Sequence, residues 1–437
     1  MTSISALFET VREREPDRNF LAADLLDVLA RKRRSALPWR GQFTPGLPEL
    51  LIDAYDGETG VIFDPFAGSG TTLLEAQRRG RASVGVEVNP AAYLLARILE
   101  LANEPADERR AVLESGSRNL RRCLVADVNG GLFGNSGSDS GENVASKLIE
   151  ITAGAPSAKS VLDCVLLLSM GDKKETCTAK ILKSWASVEE LIRSMPRDPV
   201  RCAVTLGDAR SNTTEADSVG LTITSPPYIN VFNYHQNYRP AVELLGWQVL
   251  PAARSEIGSN RKHRSNRFLT VIQYAQDMLS ALTEIVRVSK HGANVVLVVG
   301  RESRVRGVSF ANGEILATLA ASLGTLKFTR WQERKFLNRF GVTIYEEILA
   351  FEVDKVSDIS TVVDIESVGR GVGVFCLDEA ADKAPLDVAG EIKAAVAAAN
   401  GVRQSPLVAG GNTMSGCLLY TSPSPRDRTR SRMPSSA

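Results

Sequence analysis

The chain has 437 residues, of which 43% are hydrophobic and 24% are charged, and its formal net charge is +1. These values are typical of a globular protein with one large or two modest domains, and so small a net charge does not by itself point to a nucleic-acid partner. We expect a cytoplasmic protein, because no apolar stretch is as long as a membrane span and the acidic N-terminus lacks the apolar centre of a signal peptide. Six scattered cysteines without CxxC spacing and only three histidines argue against a disulfide framework and a metal site.

Strand and helix patterns alternate along most of the chain. Short apolar runs rich in β-branched or aromatic residues predict strands at 61–66, 83–88, 202–208, 221–227, 294–300, 326–331 and 344–352. Helical patterns lie between several of them, such as 71–80 and 274–292, and Gly292 is expected to end the second. This alternation predicts a doubly wound, mostly parallel α/β sheet of seven strands. Only about a dozen residues separate the last two strands, too few for a crossover, so we expect them to form an antiparallel hairpin.

Residues 103–198 interrupt this plan. They contain a Gly/Ser/Asn-rich piece at 129–141, which we expect to be a loop, and helical patterns at 160–171 and 184–195. We interpret them as a helical insertion that separates residues 1–102 from 199–355, the two parts of the sheet domain. The pattern weakens over 356–416, where the sequence predicts no definite structure.

The last segment, 417–437, resembles a translated sequencing adapter. It contains four arginines and one aspartate, and without it the formal charge of the chain is −2. We therefore expect this tail to be non-native, to take no part in the fold, and the natural C-terminus to be missing.

Polar side chains follow three successive predicted strands. In "VIFDPFAGSGTTLLEA", Asp64 ends a strand and a turn with Gly68 and Gly70 opens a helix, an arrangement that lets backbone N–H groups approach a ligand. Glu87 follows the next strand, where an acid suits the hydroxyls of a ribose, and Asp208 follows the third. The turn lacks both the GxGxxG spacing and a P-loop lysine, so neither NAD nor ATP is favoured. Taken singly, each acid is as easily a helix cap or a solvated loop residue; three at consecutive strand ends predict a binding site.

The motifs "DPFAGSGTT", "GVEVNP", "GDAR" and "ITSPPY" together resemble the amino-methylating DNA methyltransferases that use S-adenosylmethionine, over roughly residues 43–352. The resemblance implies a Rossmann-like methyltransferase sheet and DNA as substrate. It implies that "ITSPPY" is the catalytic motif, of the type found especially in cytosine-N4 enzymes, because adenine-N6 relatives more often have Asp where Ser225 stands. The cofactor-binding residues it implies are Phe43, Asp64, Phe66, Gly68, Gly70, Thr71, Thr72, Glu87 and Asp208.

The proposed catalytic residues are Ser225, Pro226, Pro227 and Tyr228. An exocyclic amino nitrogen is a poor nucleophile because its lone pair is delocalised into the ring. The Ser225 hydroxyl and the Pro226 carbonyl can accept its two N–H groups, while the prolines hold both acceptors rigidly. Tyr228 can stack on a base that has been flipped out of the helix. By itself, the motif could also be an incidental edge-strand turn.

A basic stretch, residues 253–268, is the expected nucleic-acid contact. Its cations are Arg254, Arg261, Lys262, Arg264 and Arg267, against the single acid Glu256. Such a cluster suits phosphate contacts near a flipped base, although a solvated basic loop is the alternative. We read His235 and His263 as phosphate or packing contacts.

Three functional hypotheses stay open at this stage. The first is a DNA methyltransferase acting on cytosine N4, with adenine N6 as its close variant. The second is an RNA or protein amino-methyltransferase, although only about 60 residues precede the glycine motif. The third is a non-catalytic nucleic-acid-binding relative. The recognition sequence, the oligomeric state and a restriction or phage-defence partner are not determined by the sequence.

Overall fold

The computed structural model describes residues 3–15, 20–26, 35–130, 141–230, 234–259, 263–337, 341–355 and 364–408. Two predicted phosphate contacts, Arg261 and Lys262, lie outside these ranges, as do the tail 417–437 and most of the Gly/Ser/Asn-rich piece.

Nine strands are present among the described residues: β1 Val61–Asp64, β2 Ser83–Glu87, β3 Cys202–Leu206, β4 Val219–Thr224, β5 Ser289–Gly300, β6 Glu302–Val305, β7 Val308–Ala311, β8 Leu326–Leu337 and β9 Thr343–Val353. Seven of them form one sheet in the order β3-β2-β1-β4-β5-β9-β8. The first five pair in parallel, and β9 runs antiparallel to both β5 and β8. The predicted α/β sheet and its terminal hairpin are therefore confirmed.

Fifteen α-helices surround the sheet in the described part of the chain: α1 Ile4–Arg12, α2 Ala23–Leu26, α3 Gly46–Tyr55, α4 Thr71–Arg78, α5 Pro90–Ala96, α6 Ala106–Gly130, α7 Gly141–Ala153, α8 Lys159–Met170, α9 Thr178–Arg193, α10 Arg239–Leu244, α11 Leu250–Ser255, α12 Leu269–Val288, α13 Asn312–Leu323, α14 Ile365–Lys383 and α15 Leu386–Ala397.

Both faces of the sheet are buried. Along β5, Val295 and Leu297 face a core shared with α12, α13 and α14, whereas Val296 and Val298 face a second core shared with α3. This alternation follows from the two-residue period of a strand, and it explains why β4 and β5 read as continuous apolar runs. Helices on both sides leave the carboxyl edge of the parallel strands as the place where polar residues can gather.

The helices α6 to α9 lie between β2 and β3. They share a third core with neighbouring parts of the sheet domain, including Leu94 and Leu95 of α5 and Val204 of β3. The division of the chain into a sheet domain and a helical insertion remains a prediction.

The structure corrects the predicted end of one helix. Helix α12 ends at Val288, and Ser289 already begins β5 in an extended conformation, with its hydroxyl donating to the carbonyl of Ile285 at 2.7 Å. Gly292 lies inside β5 with a φ of 76° and does not cap the helix. The predicted helix was too long because residues 289–292, Ser-Lys-His-Gly, have no strand-like apolar pattern and Gly292 is their first helix-ending residue.

The structure also contains elements that the sequence did not predict. The hairpin β6–β7 follows β5, and α14 and α15 occupy the region in which no definite structure was expected. Among the described residues no single helix is long and apolar enough to cross a membrane. The segments Val144–Ala153 and Pro156–Met170 together have the length and composition of a membrane span, but the chain bends by 118° between them.

Candidate active site

A pocket opens at the carboxyl ends of β1, β2, β3 and β4. It contains about 930 Å³ of space that protein atoms do not occupy. The predicted site residues that line it are Phe43, Asp64, Phe66, Gly68, Thr71, Glu87, Asp208, Ser225 and Pro227. Residues from four separate strand ends thus meet because parallel strands bring their carboxyl ends to one edge.

Asp64 is the buried acid at the end of β1, with a 2% exposed side chain. Its Oδ1 accepts hydrogen bonds from the Thr224 hydroxyl at 2.6 Å and from the backbone N–H of Phe66 at 3.1 Å. Burial raises the pKa of Asp64 to about 6, while these hydrogen bonds act in the opposite direction. Asp64 therefore joins the ends of β1 and β4 and places a carboxyl in the pocket wall.

Glu87 ends β2 and holds the glycine turn. Its Oε2 accepts the backbone N–H of Gly68 and its Oε1 that of Asn89, both at 2.7 Å. Burial raises the pKa of Glu87 to about 7, against the effect of both hydrogen bonds. Near neutral pH this carboxyl is poised between its two protonation states.

The glycine turn has two different glycines. Gly68 has a φ of 52° and lines the pocket, whereas Gly70, with a φ of 88°, packs away from it, and a Cβ there would lie 2.6 Å from Leu99 Cδ1. Thr71 lines the pocket as the first residue of α4, and Thr72 is fully buried. The structure therefore places Gly70 and Thr72 behind the turn and outside the pocket lining.

Asp208 is part of a buried ionic network. Its Oδ2 accepts from Arg210 Nη2 at 2.7 Å and from the Ser255 hydroxyl at 2.6 Å, and Arg210 Nη1 donates to Asp277 at 2.6 Å. Arg210 also donates to the carbonyl of Ser405 at 2.8 Å, which ties the C-terminal segment to the pocket. Asp208 borders the pocket as expected, but its carboxylate is already engaged, so its role in cofactor binding stays a prediction.

A segment before α3 covers one side of the pocket. Phe43 lines it together with Trp39 and Gln42, and Trp39 stacks on Tyr238 with ring centroids 6.1 Å apart. The Ser69 hydroxyl donates to the carbonyl of Leu37 at 2.7 Å, so the segment is fastened to the glycine turn. The aromatic wall is thus larger than the sequence indicated.

The proline motif directly follows β4. Ser225 and Pro227 line the pocket, Pro226 is buried, and the hydroxyl oxygens of Ser225 and Tyr228 lie 3.4 Å apart. The ring of Tyr228 packs against the backbone of Gly300 at the end of β5. Ser225 and Pro227 therefore share the pocket with its acids, whereas Pro226 and Tyr228 are outside its lining.

The basic stretch is divided by the structure. Arg254, Arg264 and Arg267 are exposed, but the intervening residues 255–259 are buried. Arg267 Nη1 donates to Asn230 Oδ1 at 3.5 Å, which places it beside the residues that follow Tyr228. The stretch is consequently not one continuous basic loop among its described residues.

Sequence reasoning did not identify several residues of the pocket. These are Trp39, Gln42, Asn89, Tyr234, Ser255, Glu256 and Ile257. Glu256 appeared in the sequence only as the lone acid among cations, yet it accepts from the backbone N–H of His235 at 2.6 Å and lies 3.0 Å from His235 Nδ1. His235 is 4% exposed, which agrees with a packing role.

The residues of the pocket fit a cationic nucleoside such as S-adenosylmethionine. The buried carboxyl of Asp64 and the half-buried carboxyl of Glu87, whose pKa values desolvation raises, line the pocket with the aromatic rings of Trp39, Phe66 and Tyr234. A positive ligand would favour the ionised form of these carboxyls, and aromatic faces attract cations.

Comparison with known proteins gives a matching family over part of the chain. Residues 22–97 match the family model of the N6/N4 methyltransferases, described as DNA methylase. The type II methyltransferase M.MjaII of Methanocaldococcus jannaschii is 35% identical over 98 residues, which is 21% of this chain and 18% of that protein. M.ScaI of Streptomyces caespitosus is 49% identical over 55 residues, 13% of this chain and 17% of that protein. The chain therefore matches less than a fifth of the length of either relative.

Among solved structures, a SAM-dependent methyltransferase from Methanosarcina mazei has 12% identity and a TM-score of 0.33, over 70% of this chain and 97% of that chain. A TM-score this low has no bearing on function. The family match is more informative, because residues 22–97 include the glycine turn and both acids, Asp64 and Glu87. Over these residues the chain is therefore similar to the amino-methylating DNA methyltransferases.

Proposed function

We propose that this protein methylates DNA on the exocyclic amino group of a flipped base, and that the base is cytosine and the acceptor N4. One observation carries the proposal: Ser225 and Pro227 of the proline motif line the same pocket as Asp64 and Glu87. A target base bound at the motif would thus lie beside the cofactor. When bound, S-adenosylmethionine supplies a methyl group on a sulfonium, which is a good leaving group.

The protein has to align the target nitrogen with the methyl group and to provide hydrogen-bond acceptors for its N–H groups. Ser225 Oγ and the Pro226 carbonyl accept the two N–H groups of the target nitrogen and help it to become pyramidal as it attacks. Tyr228 stacks on the base and replaces the stacking that the base loses when it leaves the duplex. The choice of cytosine rests on serine at position 225, where adenine enzymes more often have aspartate.

Mass spectrometry of nucleosides tests the proposal. DNA from cells that express the protein should contain N4-methylcytosine, and DNA from cells that express Ser225→Ala should contain much less. If the DNA contained N6-methyladenine instead, the proposed amino-methylation of DNA would stand, but cytosine would be the wrong target base. Methylation confined to RNA or protein would overturn DNA as the substrate.

Cofactor binding should depend on pH through Glu87. Its pKa of about 7 in the ligand-free protein means that the carboxylate able to accept ribose hydroxyls is largely lost as pH falls below 7. Affinity for S-adenosylmethionine should be full at pH 8 and about tenfold weaker at pH 6, because one pH unit below a pKa leaves about a tenth of the group ionised. Calorimetric titration measures this. The Glu87→Gln variant, which cannot ionise, should lose most of the pH dependence and corrects for titration of the ligand.

The exposed arginines near the motif should contribute to DNA affinity. The double replacement Arg264→Ala and Arg267→Ala should weaken binding to all sequences and reduce the slope of log affinity against log salt by about two, since each phosphate contact releases about one counterion. Lys327→Ala, an exposed cation at the opposite edge of the sheet, is the control and should leave the slope unchanged. An unchanged slope in the double variant would show that neither arginine contacts a DNA phosphate.

A further inference from the structure

The hydrogen bond between Ser225 and Tyr228 has no direction of its own. Either hydroxyl can donate across the 3.4 Å between them. If Ser225 accepts an N–H of the target base, as in the proposed function on which this inference rests, its own proton must point away from the base. Something in the structure must therefore favour Ser225 as the donor to Tyr228.

Glu346 of β9 lies on the side of the sheet that Tyr228 occupies. It pairs directly with Gly300 of β5, and a Cβ built on Gly300 would lie 3.4 Å from Cε2 of the Tyr228 ring. Directly opposed residues of an antiparallel pair project to the same face, roughly 5 Å apart. The adjacent Glu347 projects to the other face, where its Oε2 lies against Gly313.

A buried arginine holds this carboxylate. Arg334 pairs with Glu346 across β8 and β9, and its Nη1 donates to Glu346 Oε2 at 2.6 Å. The Arg334 side chain is 2% exposed and that of Glu346 is 19% exposed. Burial raises the pKa of Glu346, and Arg334 counteracts this shift by favouring the ionised form.

The charge of Glu346 acts on the phenol of Tyr228. Burial raises the pKa of Tyr228, and the negative charge of Glu346 raises it further. A negative charge that opposes ionisation of the phenol also attracts its hydroxyl hydrogen. The charge of Glu346, which Arg334 partly neutralises, thus favours an orientation of the Tyr228 O–H toward Glu346.

We propose that Glu346 is a positioning residue that draws the O–H of Tyr228 toward itself, so that Tyr228 accepts from Ser225 and Ser225 Oγ accepts from the target amino group. The hydrogen bonds from the base to Ser225 and from Ser225 to Tyr228 then have one direction, and the remaining proton of Tyr228 is oriented toward the charge of Glu346. No proton has to leave its oxygen. The long distance between Ser225 and Tyr228 is of the kind that shortens when a substrate is bound.

A double-mutant cycle tests this arrangement. Glu346→Gln retains an acceptor for Arg334 but removes the charge, and Tyr228→Phe retains the stacking ring but removes the hydroxyl. Each should slow single-turnover methylation by roughly two- to tenfold, the effect of losing or misdirecting one neutral hydrogen bond. The double variant should be no slower than the slower single variant, because both changes interrupt the same sequence of hydrogen bonds. Cofactor affinity and flipping of 2-aminopurine should stay at the wild-type values in all three.

Glu352→Gln is the matched control, since Glu352 is exposed on the same strand. It should methylate at the wild-type rate. Wild-type rates in Glu346→Gln, or rate losses that multiply in the double variant, would overturn the role of Glu346. A wild-type protein that methylates no DNA would instead overturn the proposed function, so the two failures are distinguishable.

Discussion

Replacing Ser225 with alanine is expected to slow single-turnover methylation by roughly a hundredfold, comparable to the loss of one preorganised hydrogen-bonding group at a reacting centre. The Ser225 acceptor matters most as the nitrogen attacks, so affinity for DNA and for S-adenosylmethionine should be unchanged. Ser225 is partly buried directly after β4, and its replacement by alanine removes only the hydroxyl oxygen. Rapid-quench measurement with saturating enzyme reports the rate.

The matched variant Tyr228→Ala should fail in a different way. Loss of the ring should weaken the flipped state by about 1 to 3 kcal/mol, the worth of a base–aromatic stack. A 2-aminopurine at the target position should show reduced flipping in Tyr228→Ala and normal flipping in Ser225→Ala. A wild-type rate in Ser225→Ala would show that the serine has no catalytic role. It would favour the alternative hypotheses of an RNA methyltransferase, a protein methyltransferase or a non-catalytic relative.

Replacing Glu87 with alanine should weaken S-adenosylmethionine binding by about 1.5 to 3 kcal/mol, the range for a hydrogen bond to a charged group. The structure adds a second reason, because the same carboxylate accepts the N–H groups of Gly68 and Asn89, and its loss would also loosen the glycine turn. Calorimetric titration at pH 8 measures the loss.

Glu87→Gln separates these two contributions. The amide oxygen can still accept one of the two N–H groups, so this variant should bind more tightly than Glu87→Ala and less tightly than the wild type. Identical affinity in all three proteins would exclude Glu87 from the cofactor site. The Glu49→Ala variant, an acid on α3 outside the pocket lining, should bind normally.

Sequence motifs predicted some of the residues that line the pocket and not others. Asp64, Glu87 and Ser225 could be placed together from sequence, because each follows a strand in a predicted parallel sheet and such strands end at one edge. Gly70 shows the limit. Its sequence position resembles that of Gly68, yet its φ of 88° turns it toward Leu99, and only the packed structure distinguishes a glycine that faces a ligand from one that makes room for a helix.

Asp208 and the basic stretch show the same limit for charged residues. The sequence placed Asp208 correctly at a strand end but could not show that Arg210 and Ser255 already engage it. Residues 255–259 are buried between Arg254 and Arg264, so cations that are neighbours in sequence do not form one continuous exposed stretch. Exposure depends on contacts with residues far along the chain, which a local pattern does not contain.

The sequence by itself determined the α/β class, the terminal hairpin and the resemblance to a methyltransferase family, because strand periodicity, connection length and the motifs around Asp64 and Glu87 are local properties. Only the tertiary structure decided where α12 ends, which residues of 39–43 cover the pocket, and that Glu346 lies on the Tyr228 side of the sheet. These features depend on strand register and on packing between distant segments. A register shift of one residue would turn Glu346 to the opposite face, and no short stretch of sequence specifies that register.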